Sequence, residues 1–238
     1  MKLLSLVILL LLTCLQCETA KASLLVDKAI VVFDEKTGDK LDVTVINDDA
    51  EEKLYVKVEA FEVQAPGTSE ENLVAFDKMS VPTFIATPNK LVVQAGGKSL
   101  IRLMNLNQTS DVERIYRINF MPITRPIELM EAEEQAGVRS MLEILIAYQV
   151  LAIVLPIDPV ATPLVQRNKT LVTIKNSGNA NFLLTHGRQC NPTDPSECKE
   201  LPHKRVYPGN TWELNLPYDG QFSYDIQTHE GNSPSLFQ

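Results

Sequence analysis

Short segments with the character of β-strands recur along the whole chain, and they constrain its fold more than any other feature. The segments are rich in Val, Ile, Leu and aromatic residues, several alternate apolar with polar residues, and Gly, Asn, Asp and Pro separate them. KLDVTVIND at 40–48 is one example. The only helix-like stretch, 127–136, is acidic and fits an exposed loop or a single turn better. We therefore expect an all-β protein built from sandwiches.

Composition excludes several other classes of protein. The 238-residue chain is 45% hydrophobic and 22% charged, and its formal net charge is −8. A disordered tail would contain fewer apolar residues, and a basic nucleic-acid-binding domain would carry positive charge. We expect a globular protein that does not bind nucleic acid, with one large domain or two domains of about a hundred residues.

The N-terminus has the pattern of a secretory signal peptide over residues 1–22. Lys2 precedes a mostly apolar run, and a more polar stretch then ends in Ala-Lys-Ala at 20–22. The run is too short to cross a bilayer as a helix. The alternative is a lipoprotein anchored through Cys14 or Cys17, but the residues before these cysteines are Thr and Gln rather than the small residue that lipid attachment usually requires.

The two cysteines beyond the leader, Cys190 and Cys198, are eight residues apart. In an exported chain the oxidising compartment favours a disulfide between them. A zinc site is the alternative, and it would need two more ligands. His186 and His203 are the nearby candidates, but their spacing fits no common zinc-finger pattern. We predict a disulfide and no metal site.

A proline-rich segment, LPIDPVATP at 155–163, indicates a stiff connector between two units. We therefore divide the mature chain into domains at 23–156 and 157–238. The first unit contains 13 Lys and Arg against 21 Asp and Glu, whereas the second contains 7 against 8. Most of the negative charge thus lies in the first unit.

Enzymatic chemistry has little support in the sequence. Hydrolases of the Ser-His-Asp or Cys-His type need a histidine, and all three histidines lie in the second unit without a recognisable catalytic motif. Paired carboxylates of a glycosidase cannot be tested by spacing, but Trp212 is the only tryptophan available to stack on a sugar. We predict a protein that is not an enzyme and has no cofactor.

The segment SMLEILIAYQVLAIVLP at 140–156 is apolar on both faces over much of its length. A sandwich strand usually has one apolar face, so each face here should have a partner. One partner could be another protein, because an exposed apolar strand otherwise promotes aggregation. Periodicity alone favours the alternative, a central strand packed on both sides within its own domain.

Several motifs in the first unit resemble those of the PapD-type periplasmic pilus chaperones. They are Ala-Thr-Pro at 86–88, Gly-Gly-Lys-Ser at 96–99, Ile-Arg-Leu at 101–103, ERIYRINFMPI at 113–123 and the long strand ending in Pro156. In the second unit, residues 174–190 and 197–214 are similar to the disulfide-bearing domain of the alternate, colonisation-factor-like subgroup. The resemblance covers nearly the whole mature chain.

The resemblance implies two immunoglobulin-like β-sandwiches in an L-shaped or boomerang arrangement with a cleft between them. It also implies a periplasmic chaperone that lends the last strand of its first domain to fimbrial subunits and hands them to an outer-membrane usher. The implied partners are pilin subunits and the usher, and self-association of the free chaperone through the same strand is left open. The principal alternative is a two-domain structural or adhesive surface protein that keeps its apolar strand inside, and an exported glycosidase is a more distant one.

The resemblance also assigns residues. Pro88 follows a peptide bond that is cis in the family. The donated apolar side chains fall on Leu142, Ile144, Ile146, Tyr148 and Val150.

One part of the family pattern is missing. Many members anchor the subunit's terminal carboxylate with an Arg and a Lys at positions that here hold Ile30 and Leu151. Arginine suits such a contact because its guanidinium can bind a carboxylate through two hydrogen bonds. The best candidate is Arg117, since apolar neighbours take the other face of its strand. Arg102 and Lys28 are the alternatives.

Overall fold

The computed structural model describes residues 23–76, 79, 81–107, 110–123 and 145–237. The predicted signal peptide and two of the predicted donor residues, Leu142 and Ile144, lie outside these ranges. Throughout the described part, no helix is both long and apolar enough to cross a membrane.

Ten strands form the first sandwich, and each of its two faces is one sheet. One sheet has the order β1-β3-β8-β6, and the other has the order β2-β10-β9-β4-β5 with β7 paired to β4. The strands are β1 Leu24–Val26, β2 Ile30–Phe33, β3 Lys40–Asn47, β4 Leu54–Gln64, β5 Asn72–Ala75, β6 Phe84–Thr87, β7 Lys90–Val93, β8 Lys98–Asn105, β9 Arg114–Pro122 and β10 Tyr148–Val154.

Alternation along the strands places the apolar residues between the two sheets. On β3, Val43 and Val45 are fully buried while their neighbours are partly exposed. Three aromatic rings fill the middle of this core: Phe84 packs edge-on against Phe33 and stacks on Tyr116, with centroids 5.5 and 4.5 Å apart. Burial of each large apolar side chain contributes roughly 1.5–3 kcal/mol. The Thr87–Pro88 bond that follows β6 is cis.

Eight further strands form the second sandwich. Its sheets have the orders β11-β12-β16 and β14-β13-β17-β18, with β15 paired to β13. The strands are β11 Pro163–Asn168, β12 Leu171–Asn176, β13 Phe182–Asn191, β14 Asp194–Glu200, β15 Lys204–Val206, β16 Thr211–Asn215, β17 Phe222–Thr228 and β18 Gly231–Phe237.

A disulfide joins Cys190 and Cys198, which lie directly opposite each other on the neighbouring strands β13 and β14. The predicted disulfide is therefore confirmed. It closes a hairpin at one edge of its sheet, where most residues of β14 are exposed.

One polar side chain organises the loops of the second sandwich. Asn176 is fully buried, and its Nδ2 donates to the carbonyl oxygens of Ala180 at 2.9 Å and Val206 at 3.0 Å. Its Oδ1 accepts from the backbone N–H of Gly178 at 2.9 Å. Buried backbone groups need such partners, because an unsatisfied one costs about 1–3 kcal/mol.

We expect Asn176→Ala to lower the free energy of unfolding by at least about 2 kcal/mol, because it leaves several buried backbone groups unsatisfied. Urea titration followed by circular dichroism measures the change. Asn168→Ala, at an exposed position of β11, is the matched control and should change stability by less than about 0.5 kcal/mol. Equal effects of the two substitutions would contradict this role of Asn176.

Candidate functional site

Strand β10 occupies a central position in its sheet. Its residues Leu151–Val154 pair in parallel with β2, and its whole length, Tyr148–Val154, pairs antiparallel with Arg114–Phe120 of β9. The first three residues, 148–150, therefore have a strand on one edge only within the described part of the chain. This edge is where an added strand could pair.

The two faces of β10 are both covered inside the protein over its second half. Val150 and Ala152 are fully buried in the main core of the first sandwich. On the opposite face, Ile153 packs in a smaller cluster that Tyr207 of the second sandwich joins. The central position thus explains why the sequence is apolar on both faces here. Val150, a predicted donor residue, has no surface available to a second protein in this state.

The segment just before β10 is different, because its apolar residues are exposed. Leu145 and Ile146 are 49% and 46% exposed. Residues 145–147 belong to no strand and make no backbone hydrogen bond to the described part of the chain. Tyr148, the first residue of β10, is partly buried against the core. Exposed apolar side chains and unpaired backbone groups thus lie together at the entrance to the strand.

Arg117 lies beside the two positions that lack the expected basic residues. On β9 it pairs directly with Leu151 of β10, which in turn pairs with Ile30 of β2. Directly paired residues of neighbouring strands point to the same face and have Cβ atoms about 4.5–5.5 Å apart. The sheet therefore places a guanidinium one strand away from Leu151, on the same face.

The guanidinium of Arg117 is paired within the protein. Its Nη2 donates to Oε1 of Glu71 at 2.5 Å, and Oε2 of Glu71 accepts from the backbone N–H of Gly67 at 2.7 Å. Both charged side chains are about one-quarter to one-third exposed. Sequence reasoning missed Glu71, because it lies 46 residues before Arg117 in an acidic loop that resembles an ordinary solvated surface.

The loop that carries Glu71, residues 65–71, also contacts the second sandwich. Asn210 donates from Nδ2 to the carbonyl oxygen of Pro66 at 2.7 Å. Gly67 has a φ of +74°, and a Cβ atom there would lie 2.8 Å from the ring of Tyr207. A larger residue would therefore push the loop away from the second sandwich.

The alternative anchors, Arg102 and Lys28, are engaged with the opposite sheet. Arg102 lies on β8 and donates two hydrogen bonds to the carboxylate of Asp42, at 2.9 and 3.0 Å. These hydrogen bonds hold the pKa of Asp42 below its usual value. The ammonium of Lys28 donates to the carbonyl oxygen of Asp42 at 2.7 Å. The structure brings neither charge into register with Leu151.

A cavity of about 280 Å³ separates the two sandwiches next to this row of residues. Its apolar floor belongs to β2, β10 and the residue after β10, and its opposite wall belongs to the second sandwich. The floor and wall include Ile30, Val32, Ile153, Leu155, Leu183 and Arg205.

A buried carboxylate connects the sandwiches beside the cavity. Glu113 is 8% exposed, and its Oε2 accepts from the backbone and side-chain nitrogens of Asn181, at 2.9 and 2.5 Å. Arg205 donates to the Oδ1 of the same asparagine. The other oxygen of Glu113 has no hydrogen-bond partner among the described residues. Burial raises the pKa of Glu113 above its usual value of 4.5, although the hydrogen bonds from Asn181 act in the opposite direction.

This raised pKa predicts a specific dependence of stability on pH. The folded protein holds the Glu113 proton more tightly than the unfolded chain, so protonation stabilises the fold. The gain begins as the pH falls through the raised pKa and is complete below the pKa of the unfolded carboxyl. Glu113→Gln removes this titration. We therefore expect the stability of the natural protein relative to the variant to rise between about pH 8 and about pH 4. Chemical denaturation across this range measures it, and a difference that falls towards acid would contradict the prediction.

Comparisons with known proteins extend over nearly the whole described chain. No protein-family model matches the sequence. A protein of CS1 fimbriae from Escherichia coli is 26% identical over 207 residues, which are 84% of this chain and 84% of that protein.

Solved structures show the same fold. The Class 5 fimbriae chaperone CfaA is 20% identical with a TM-score of 0.64, and the match covers 90% of this chain and 99% of that chain. A chain of the Salmonella enterica SafA pilin complex with the SafB chaperone is 16% identical with a TM-score of 0.63, over 92% and 98%. The predicted fold class, all-β with two immunoglobulin-like sandwiches in an L-shaped arrangement, is confirmed, as is the resemblance to PapD-type chaperones.

Proposed function

We propose that this protein is a periplasmic chaperone that binds fimbrial subunits and stabilises them by donating a strand. The observation that carries the proposal is the exposed apolar entrance to β10, with Leu145 and Ile146 about half exposed ahead of a central strand. An adhesive protein that kept this strand inside would bury these side chains. The similarity to proteins described as fimbrial chaperones supports the same function.

The free edge of residues 145–150 is the proposed place where a pilin attaches. A strand of the pilin adds to this edge, so that its backbone groups pair with those of the chaperone. Where this strand extends β10, Ile146 continues the face that Tyr148 and Val150 already occupy. Ile146, together with Leu142 and Ile144, then enters the pilin. Each buried side chain contributes roughly 1.5–3 kcal/mol.

Val150 has a different role in this proposal. It is fully buried in the protein's own core and so holds the base of the donated strand in the first sandwich. Tyr148, which is partly buried, lies at the junction between the core of the chaperone and that of the pilin. The apolar face is thus shared lengthwise between the two proteins.

Arg117 is the proposed anchor for the terminal carboxylate of the pilin. It lies on the same face as Leu151 and Ile30, next to the cavity between the sandwiches. A guanidinium can reach a carboxylate there by charge-assisted hydrogen bonds, which are stronger than neutral ones. The anchor would fix the register in which the pilin strand lies along residues 145–150.

The remaining steps follow from the resemblance. A signal peptide of residues 1–22 directs the chain to the periplasm, the first domain at 23–156 binds the pilin, and the domain at 157–238 contributes the second wall of the cleft. The chaperone hands the pilin to an outer-membrane usher, where a strand of the next pilin replaces the donated one. No chemical step on a substrate is part of this function.

We expect Ile146→Asp to weaken pilin capture at least about tenfold, because a buried apolar contact worth about 1.5–3 kcal/mol is replaced by a charge. Co-expression with a pilin encoded nearby, followed by purification of the periplasmic complex and titration of binding, measures the effect. Since Ile146 is 46% exposed in the free protein, the variant should remain folded.

Leu100→Asp is the matched control, because Leu100 is 57% exposed on β8 in the other sheet. We expect it to leave capture unchanged. Equal capture by the Ile146 and Leu100 variants would exclude the donated strand. Unchanged degradation of the pilin with and without this protein would favour the adhesive alternative.

We expect Arg117→Ala to weaken pilin binding by about 10- to 100-fold, because a charge-assisted hydrogen bond contributes about 1.5–3 kcal/mol. Arg117→Lys keeps the charge but loses the planar fork and should lie between the two. Calorimetry on the natural protein and both variants gives the comparison. Undiminished affinity of Arg117→Ala would move the anchor to Arg102 or Lys28.

A further inference from the structure

The proposed anchor is already occupied by a carboxylate of the same chain. Oε1 of Glu71 lies 2.5 Å from Nη2 of Arg117, and this contact is the only hydrogen bond of the Arg117 side chain within the described residues. Glu71 therefore lies where the carboxylate of a bound pilin would need to lie.

We propose that Glu71 is an internal competitor that a pilin's terminal carboxylate must displace from Arg117. This inference rests on the proposed function and adds a regulation of its anchor. In the free protein the pair neutralises the guanidinium, and on capture the pilin carboxylate takes over the cation. Glu71 thus determines how strongly the anchor attracts a carboxylate.

Electrostatics requires a competition at this position. Both partners are only partly exposed, at 31% for Arg117 and 24% for Glu71, so solvent screens them incompletely. Two carboxylates beside one guanidinium repel each other, and one of them must move away or take up a proton. The ring of Tyr207 lies within electrostatic reach of both side chains and also of Glu113 and Arg205. Arg205 does not offer a ready second cation, because it is held by Asn181.

The surroundings of Glu71 make its displacement inexpensive. Oε2 keeps its hydrogen bond from the backbone N–H of Gly67, so the released carboxylate still has a donor. The loop itself is held independently, by Asn210 on Pro66 and by the contact of Gly67 with Tyr207. Opening the ion pair therefore requires only a change of side-chain position. A carboxylate that served mainly to support the loop would not need Arg117.

A competitor of this kind would make the anchor selective. A small carboxylate gains little by replacing Glu71, since one ion pair is exchanged for another. The end of a pilin gains more, because its strand pairs with residues 145–150 at the same time and supplies the additional binding free energy. The anchor thus responds to a carboxylate only when an apolar strand comes with it.

The experiment uses two synthetic peptides that carry the C-terminal strand of a captured pilin, one with a free carboxylate and one with a C-terminal amide. We expect Glu71→Gln to tighten binding of the free acid on the order of fivefold, as for release of a partly exposed ion pair. Binding of the amide should not change. Glu71→Ala should act in the same direction, and a urea titration checks that both variants are folded.

Asp42→Asn is the matched control, because it releases Arg102 from its carboxylate in the same domain and changes the charge equally. We expect no effect on either peptide. An equal gain with Asp42→Asn would show a general effect of net charge and overturn the inference. Unchanged or weaker binding of the free acid by both Glu71 variants would also overturn it, since Glu71 would then only position the guanidinium.

The Arg117→Ala variant separates this inference from the proposed function. In that background, Glu71→Gln should no longer tighten binding. If the natural protein binds acid and amide equally and Arg117→Ala has no effect, the anchor itself is wrong. If binding depends on Arg117 but not on Glu71, the anchor stands and the competition is excluded.

Discussion

The pairing of β10 is the constraint on which the rest of the structure depends. Its second half has neighbours on both edges, and its first three residues have a neighbour on one edge only among the described residues. Backbone hydrogen bonds fix the second half in the sheet, so its apolar faces must be filled from within the protein. The same strand is thereby rigid at one end and open to an added strand at the other. The cavity, the row of residues beside Arg117 and the exposed entrance all take their positions from this ladder.

Much of this arrangement follows from local patterns in the sequence. Alternation on β3 predicted which side chains face the core, and alternation on β9 predicted that Arg117 points away from it. The cysteine spacing in an exported chain predicted the disulfide. These features depend on the period of the strand or on chemistry between close neighbours, which a single sequence contains.

Features that depend on distant parts of the chain could not be predicted in this way. The place where β2 stops pairing with β10 separates the buried Val150 from the exposed Ile146, and periodicity is the same on both sides of it. The partner of Arg117 comes from a loop that only the folded sheet brings near. Burial of Glu113 depends on Asn181 of the other sandwich. A charged residue at the start of a strand gives no sign in the sequence that a second domain will cover it.

The contact of the 65–71 loop with the second sandwich is made by a backbone carbonyl and a glycine. Such a contact depends on the path of the backbone rather than on the loop's side chains. Related proteins could therefore vary nearly every other side chain of the loop, and so adapt it to different clients, while the two sandwiches stay joined. The position of Gly67 would be the exception, and its loss would alter the geometry of the cleft without touching any residue that faces a client.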